Sequence, residues 1–400
     1  MSADSIRVDF AGTCESGRRI ETIFRAGSRE HRVYFESDAR PLTPNVEALL
    51  AGVLPVAMRR GWDLASCGQV SERLLLAVPK ILDLCRTWDA SVRKVEIRGA
   101  VPVAKTANPS GGVGVFFSGG VDSFYTLLRH ESEITDLIFV HGFDIPLGET
   151  SLRNKTSEMV RRVSSELGKR TVEVETNLRQ FLEPHVDWGR EAHGAALAAV
   201  GHLLSPALRR IYIPASHVYD QLDPWGSHPH LDPLWSSEAL EFFHDGCEAS
   251  RLQKVAFVSG SDLVMQSLRV CWKNPNGVYN CGRCEKCLRT MISLHVAGAL
   301  NRCATFDTPL DVKRVSRIRF LPENTRAFVR ENLDALGHTP LDEALRAALQ
   351  RVLSRPAWPM KAVDRAECAL KRHTHLYLVV QGAGDWLTRL LRRRKSHIQP

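Results

Sequence analysis

The chain of 400 residues has no apolar run long enough to cross a bilayer. Its longest mostly apolar stretch, Gly194 to Leu208, contains His202 and falls short of the roughly 20 residues a span requires. An export signal is also missing: Met1 to Gly12 carries Asp4 and Asp9 where a basic start and an apolar block would stand. The expected protein is therefore cytoplasmic, with no membrane span. Internal repeats and low-complexity tracts are absent too. No GxxxxGK[ST] run occurs, which excludes a Walker-type phosphate loop. At 44% hydrophobic and 24% charged residues the composition excludes an intrinsically disordered chain.

A surplus of one charge sign is present but unevenly spread. Lys and Arg number 53 against 45 Asp and Glu, for a formal charge of +8. Such a surplus invites a nucleic-acid reading. Much of it, however, sits in Arg389, Arg392, Arg393, Arg394 and Lys395, with a smaller cluster at Lys313, Arg314, Arg317 and Arg319. The segment Asp385–Lys395 reads as a basic amphipathic helix, first of all a solvated terminal one, though it could touch RNA, an anionic surface or a partner. The total does not establish an RNA-binding body.

Pattern divides the chain into three regions. Residues 1–108 read as an α+β accessory domain. Ser5–Phe10, Arg19–Phe24 and His31–Glu36 alternate as half-buried strands, with a turn at Gly27-Ser28. Pro44–Arg60 and Ser71–Trp88 carry helical spacing, capped by Asn45 or Thr43 and by Ser71, with Pro55 and Pro79 expected to kink or break them. Val95–Arg98 is a further short strand. Cys14, Cys67 and Cys85 read as buried apolar fillers. Ala104–Gly112, rich in Pro, Gly, Ser and Asn, reads as a linker.

Residues 109–300 alternate apolar strands with helices. Val113–Phe117, Leu137–His141, Thr171–Glu175 and Arg210–Pro214 are the strands; Thr150–Leu167 and Glu191–Leu204 are the principal helices. That alternation predicts an α/β fold with a doubly wound parallel sheet, whose ligands collect at the carboxyl ends of the strands. Residues 301–400 form a C-terminal helical region, with helices expected at Pro322–Leu333 and Leu341–Leu353.

Two places carry chemistry. The first is Ser118-Gly119-Gly120-Val121-Asp122-Ser123, directly after the strand Val113–Phe117. Paired glycines let backbone N–H groups approach an anion, and the following helix turns its positive end to the same point. Ser118 and Ser123 can donate to phosphate oxygens, and Asp122 suits a magnesium ion bound to that phosphate. The second is Cys271-x9-Cys281-x2-Cys284-x2-Cys287, four of the ten cysteines. In a reducing compartment these read as metal ligands, the number a closed zinc site needs, with an iron–sulfur cluster as the competing reading. Lys273, Arg283, Lys286 and Arg289 lie close enough in sequence to offset the thiolate charge. A polar, aromatic loop, Trp225 to Ser237, offers Ser227, His228, His230, Asp232 and Trp235 for lining a pocket.

The run Ser118–Ser123 resembles the SGGxDS signature of the PP-loop ATP pyrophosphatases, an adenine-nucleotide alpha-hydrolase-like superfamily. The cysteine segment, ending Asn280-Cys-Gly-Arg-Cys-Glu-Lys-Cys-Leu-Arg289, is similar to that of 7-cyano-7-deazaguanine synthases, the QueC-like branch of queuosine biosynthesis. The resemblance covers roughly Val113 to Leu300. It implies that Ser118 to Ser123 hold ATP and its pyrophosphate, with Asp122 and Ser123 catalytic and Asp122 on Mg²⁺. It also implies that adenine lies near Val140, His141 and Phe143, that Arg190 joins the nucleotide site, and that Zn²⁺ is structural. The chain departs from the family in its added terminal regions. Arg289 arrives one residue early, and the Trp225–Ser237 loop replaces a Tyr-Pro-Asp-Cys-Arg-like substrate segment.

The implied reaction is an ATP-dependent ligation or amidation. A carboxylate or amide oxygen is adenylated with release of pyrophosphate, and ammonia or an amine then displaces AMP. Residue 2 is Ser, so no N-terminal Cys glutaminase is evident. The substrate expected is a small carboxylate or a deazaguanine, or by analogy with bacterial defence systems a macromolecular acceptor. Two other readings stay open. A tRNA sulfur-transfer enzyme would need a catalytic cysteine such as Cys247 or Cys303, and a non-catalytic module would bind ATP and zinc without turnover.

Overall fold

The computed structural model describes residues 5–13, 17–26, 29–205, 207–319, 321 and 323–356. Alternating side chains set the first three strands, Ser5–Thr13 (β1), Arg19–Ala26 (β2) and Arg29–Ser37 (β3), which form an antiparallel ribbon. Helix α1, Val46–Arg60, begins where the Asn45 side chain accepts from the Ala48 N–H, and helix α2, Glu72–Trp88, where Ser71 accepts from Leu74. Strand β4, Asp63–Ser71, lies between them and was not expected from the sequence; β5 follows at Ile97–Val103.

Pro55 and Pro79 do not break these helices. A proline inside a helix removes one hydrogen bond at a cost of about 3 kcal/mol. In α1 every residue from Ala48 to Met58 is buried, so its packing outweighs that loss.

The second half supplies β6 (Gly112–Phe116), α3 (Val121–Arg129), β7 (Asp136–His141), α4 (Thr150–Glu166), β8 (Arg170–Thr176), the short α5 (Leu178–Leu182), α6 (His193–Leu203) and β9 (Leu208–Pro214). A fifth parallel strand, β10 (Glu241–Asp245), also escaped the sequence reading. Its pairing with β9 puts Phe242 in the core while Phe243 stays exposed. After it come α7 (Arg251–Val258), α8 (Asp262–Met265), α9 (Glu285–Val296), α10 (Val312–Ser316), α11 (Glu323–Asp334) and α12 (Pro340–Leu353).

Among the described residues ten strands join one sheet in the order β10-β9-β6-β7-β8-β3-β2-β1-β4-β5. It is mostly parallel, as expected, but not wholly so: β8, β3, β2 and β1 pair antiparallel. Strands β1 to β5 therefore extend the same sheet, through Phe35 to Ser37 opposite Thr176 to Val174. The buried Asp136 carboxylate ties the two segments further, accepting from Arg40 at 2.6 Å and from Arg170 at 2.8 Å.

Helices cover both faces, because inner strand residues are buried on either side. Phe116, Ile138, Val140 and Ile211 pack with α1 and α6, whereas Val115, Leu137, Phe139 and Tyr212 pack with α3, α4 and α7. A third cluster joins Leu288 and Ile292 of α9 to Val315, Val329, Leu345 and Leu349 of α10 to α12. Among the described residues no helix is long and apolar enough to cross a membrane. The expected basic helix Asp385–Lys395, Cys14 and the Gly27-Ser28 turn lie outside the described residues.

Candidate functional site

The chain runs β6, β7, β8 to one side and then returns to the other side of β6 as β9 and β10. The connections therefore part between β6 and β9, and such a switch point leaves a crevice at the carboxyl ends of the strands. A cavity of about 1380 Å³ opens there, lined by Ser118, Gly120, Val121, Asp122 and Ser123 on one side and by Pro214 and Ser216 on another. Gly119 has φ +76°, and a Cβ there would lie 2.4 Å from the Met159 Cε. The turn needs a residue without a side chain. Gly120 is the N-cap of α3 and supplies no side-chain acceptor, so the first N–H groups of that helix remain available to a ligand. The Ser123 hydroxyl donates to the Gly120 carbonyl at 3.0 Å, and Arg269 N–H closes on the Gly119 carbonyl at 2.8 Å.

Cations wall the same cavity. Arg251, Arg269, Lys286 and Arg289 all line it. The Nε atoms of Arg251 and Arg269 and an Nη of Arg289 are buried with no hydrogen-bond partner. Burial and then the charge of Arg251 push the Lys286 ammonium down, and burial does the same to Arg289 against the opposing pull of Glu285. Like charges held together out of water are unstable unless an anion joins them. The arrangement is suited to a polyanion.

Asp122 is the main negative counterweight. Its Oδ2 accepts from Arg251 at 2.9 Å and from the Ser216 hydroxyl at 3.1 Å. Burial opposes its ionisation, but Arg251, Lys254 and Lys286 outweigh that and hold its pKa down to about 2. Lys254 is fully buried, donates to the Ala215 carbonyl at 2.7 Å and stands 3.7 Å from Asp122 Oδ1. That Oδ1 is buried and accepts no hydrogen bond, which leaves it fit to take a cation such as magnesium.

Aromatic and acidic side chains share the lining. Trp188, Trp225, Phe143, His193, Asp144 and Asp187 belong to it. Trp188 packs against Phe143 at 5.0 Å and under the Arg179 guanidinium at 4.8 Å.

Beside the cationic wall lie Cys271, Cys281, Cys284 and Cys287, with their sulfurs all within 4.8 Å of one another. A tetrahedral zinc with Zn–S bonds of about 2.3 Å sets its sulfurs about 3.8 Å apart. The Cys271–Cys284 and Cys281–Cys287 separations are both 3.9 Å. Backbone N–H groups of Asn274, Cys284 and Cys287 donate to sulfurs at 3.2 to 3.5 Å, which favours thiolates. The cluster is thus a possible four-cysteine metal site whose spacing suits zinc.

Not every residue singled out in the sequence meets at the cavity. Ser118, Gly120, Val121, Asp122, Ser123 and Val140 line it, and Gly119 shapes the turn. His141 is instead buried beside it, bonded to Glu173 at 2.7 Å and to Arg153 at 3.1 Å. Arg190 stacks over Trp225 at 5.8 Å and is not in the lining. Ser227, His228, His230, Asp232 and Trp235 are not in it either. Asp232 is fully buried, and its Oδ2 binds both Ser227 Oγ and His244 Nδ1 at 2.7 Å. His228 packs on Trp88, and Trp235 is core.

The sequence reading missed Arg251, Arg269, Trp188 and Ser216. It assigned Lys286 and Arg289 to charge balance at the cysteines rather than to the cavity. Only the cysteine spacing could have placed the latter two. No local motif marks Arg251, which follows an ordinary capping box at Ser250.

No family model, no curated protein and no solved structure matches the chain.

Proposed function

We propose that the chain is an ATP-dependent ligase of the PP-loop type, resembling 7-cyano-7-deazaguanine synthases. The supporting observation is that Arg251, Arg269, Lys286 and Arg289 line one cavity together with the Ser118–Ser123 turn. In this reading the open N–H groups of α3 and the Ser118 hydroxyl hold the phosphates, the Ser123 hydroxyl joins them by turning from the Gly120 carbonyl, and the four cations neutralise them. A magnesium ion on Asp122 supplies further charge neutralisation. The lining at Trp188 and Trp225 takes the acceptor.

A carboxylate oxygen of that acceptor bonds to the α-phosphorus as the bond to pyrophosphate breaks. Ammonia or an amine then adds to the acyl carbon, loses a proton and expels AMP. Positioning and charge neutralisation account for the catalysis, because the adenylate is itself a good leaving group. Zinc in the cysteine cluster is structural. The cytoplasm is the proposed location.

The ligase reading is preferred over sulfur transfer because Cys247 and Cys303 are buried and neither lines the cavity. AMP formation from ATP is measured with deazaguanine carboxylate, deazaguanine amide, tRNA and small carboxylates. One of these should elicit pyrophosphate release, and Asp122→Ala should lower it by about a hundredfold or more. An Asp122→Ala protein working at the wild-type rate sinks the assignment.

A further inference from the structure

An aromatic side chain links the helices beyond residue 300 to the cationic wall. Phe328 of α11 is buried, with its ring centroid 5.4 Å from the Arg251 guanidinium carbon and 4.3 Å from that of Arg289. His217, from the loop after β9, stacks on the same ring at 5.2 Å. Phe328 does not line the cavity, but both arginines do.

Its neighbours on α11 fix the helices that carry those arginines. Glu331 Oε2 accepts the Leu252 N–H at 3.2 Å, at the start of α7 and next to Arg251. Asn332 accepts from the Ser293 hydroxyl at 2.8 Å and donates to the Arg289 carbonyl at 3.3 Å, both on α9.

Two guanidiniums brought together out of water repel each other, and a flexible side chain would relieve that by turning away. An aromatic face attracts both and gives each a fixed resting plane. From this geometry we infer that Phe328 is a positioning residue for the anion site. It holds Arg251 and Arg289 pre-organised towards polyphosphate, so that α11 forms part of the site. The inference rests on the proposed nucleotide-binding reading and adds a function for the helical region.

The test is titration calorimetry of the full-length chain with inorganic pyrophosphate, with melting temperature and metal content as controls. Phe328→Leu keeps an apolar side chain and removes the ring. It should raise the pyrophosphate Kd roughly tenfold with the metal retained, from the loss of two cation–ring contacts. Phe328→Tyr keeps the ring face and should restore wild-type binding. If Phe328→Leu does not fold, Phe328→Met reads the same contacts.

Wild-type affinity in the ring-less variant, with Arg251→Ala losing pyrophosphate, overturns the role of Phe328 and leaves the anion site standing. Equal weakening in the Leu and Tyr variants also overturns it. A wild-type chain that binds no pyrophosphate overturns the nucleotide reading, and this inference with it.

Discussion

Gly119 shows how narrowly the phosphate turn is specified. An L-residue at its φ of +76° is strained whatever the space, and an added Cβ also meets Met159. The methionine end can move aside, so the backbone term dominates, at roughly 1–2 kcal/mol. Gly119→Ala should lower stability by about that amount and weaken pyrophosphate binding, because the turn that aims the α3 N–H groups must shift. A calorimetric titration with unchanged affinity would show that the turn geometry is unimportant. The signature was legible here because it is local: strand, glycines and helix start are contiguous. Arg251 was not, since it meets Asp122 only after the chain has passed through β7, β8, β9 and β10.

At the scale of elements, the segment from Arg269 to Arg289 does two things at once. Its cysteines converge on one point, and the residues beside them, Arg269, Lys286 and Arg289, become the cavity wall. Cys284 is also the N-cap of α9, accepting from the Cys287 N–H. A metal at the cluster thus fixes the start of the helix that carries Lys286 and Arg289. Mass spectrometry of the native protein should find one zinc per chain. Cys284→Ser should lose it, melt at lower temperature and bind pyrophosphate more weakly. Iron with a visible absorption band would replace zinc with a cluster. The Trp225–Ser237 loop illustrates the opposite case. Its polar residues look available in sequence, yet Asp232 is spent on Ser227 and His244, and Trp225 is the residue that reaches the cavity. Loop composition does not say which way a side chain turns.

For the whole molecule, buried histidines contribute to the response to acid. Burial pushes His202 down to about 4, and burial together with Arg60 does the same to His185. Both are neutral in the fold and protonate near 6.5 when unfolded. The unfolded chain then binds more protons between those values, so the contribution of these two is full above pH 6.5 and falls towards pH 4. His244 acts with the other sign. Burial opposes its charge, but Asp232 and Cys247 raise it to about 9, so its contribution is present below pH 6.5 and is lost as the pH passes 9. Melting temperatures from pH 7 to 4.5 should decline, and His202→Gln should flatten part of that decline. An unchanged slope would place the acid sensitivity elsewhere.

The sequence alone determined the alternation of strands and helices, the glycine turn and the set of four cysteines, because each is encoded in contacts or periodicities a few residues long. Only the tertiary structure decided that β3 pairs with β8, making β1 to β5 part of the main sheet. It alone brought Arg251, Arg269, Lys286 and Arg289 around one cavity and set Phe328 against two of them. Those arrangements depend on strand order and on burial of distant surfaces against each other, and neither leaves a local trace in the chain.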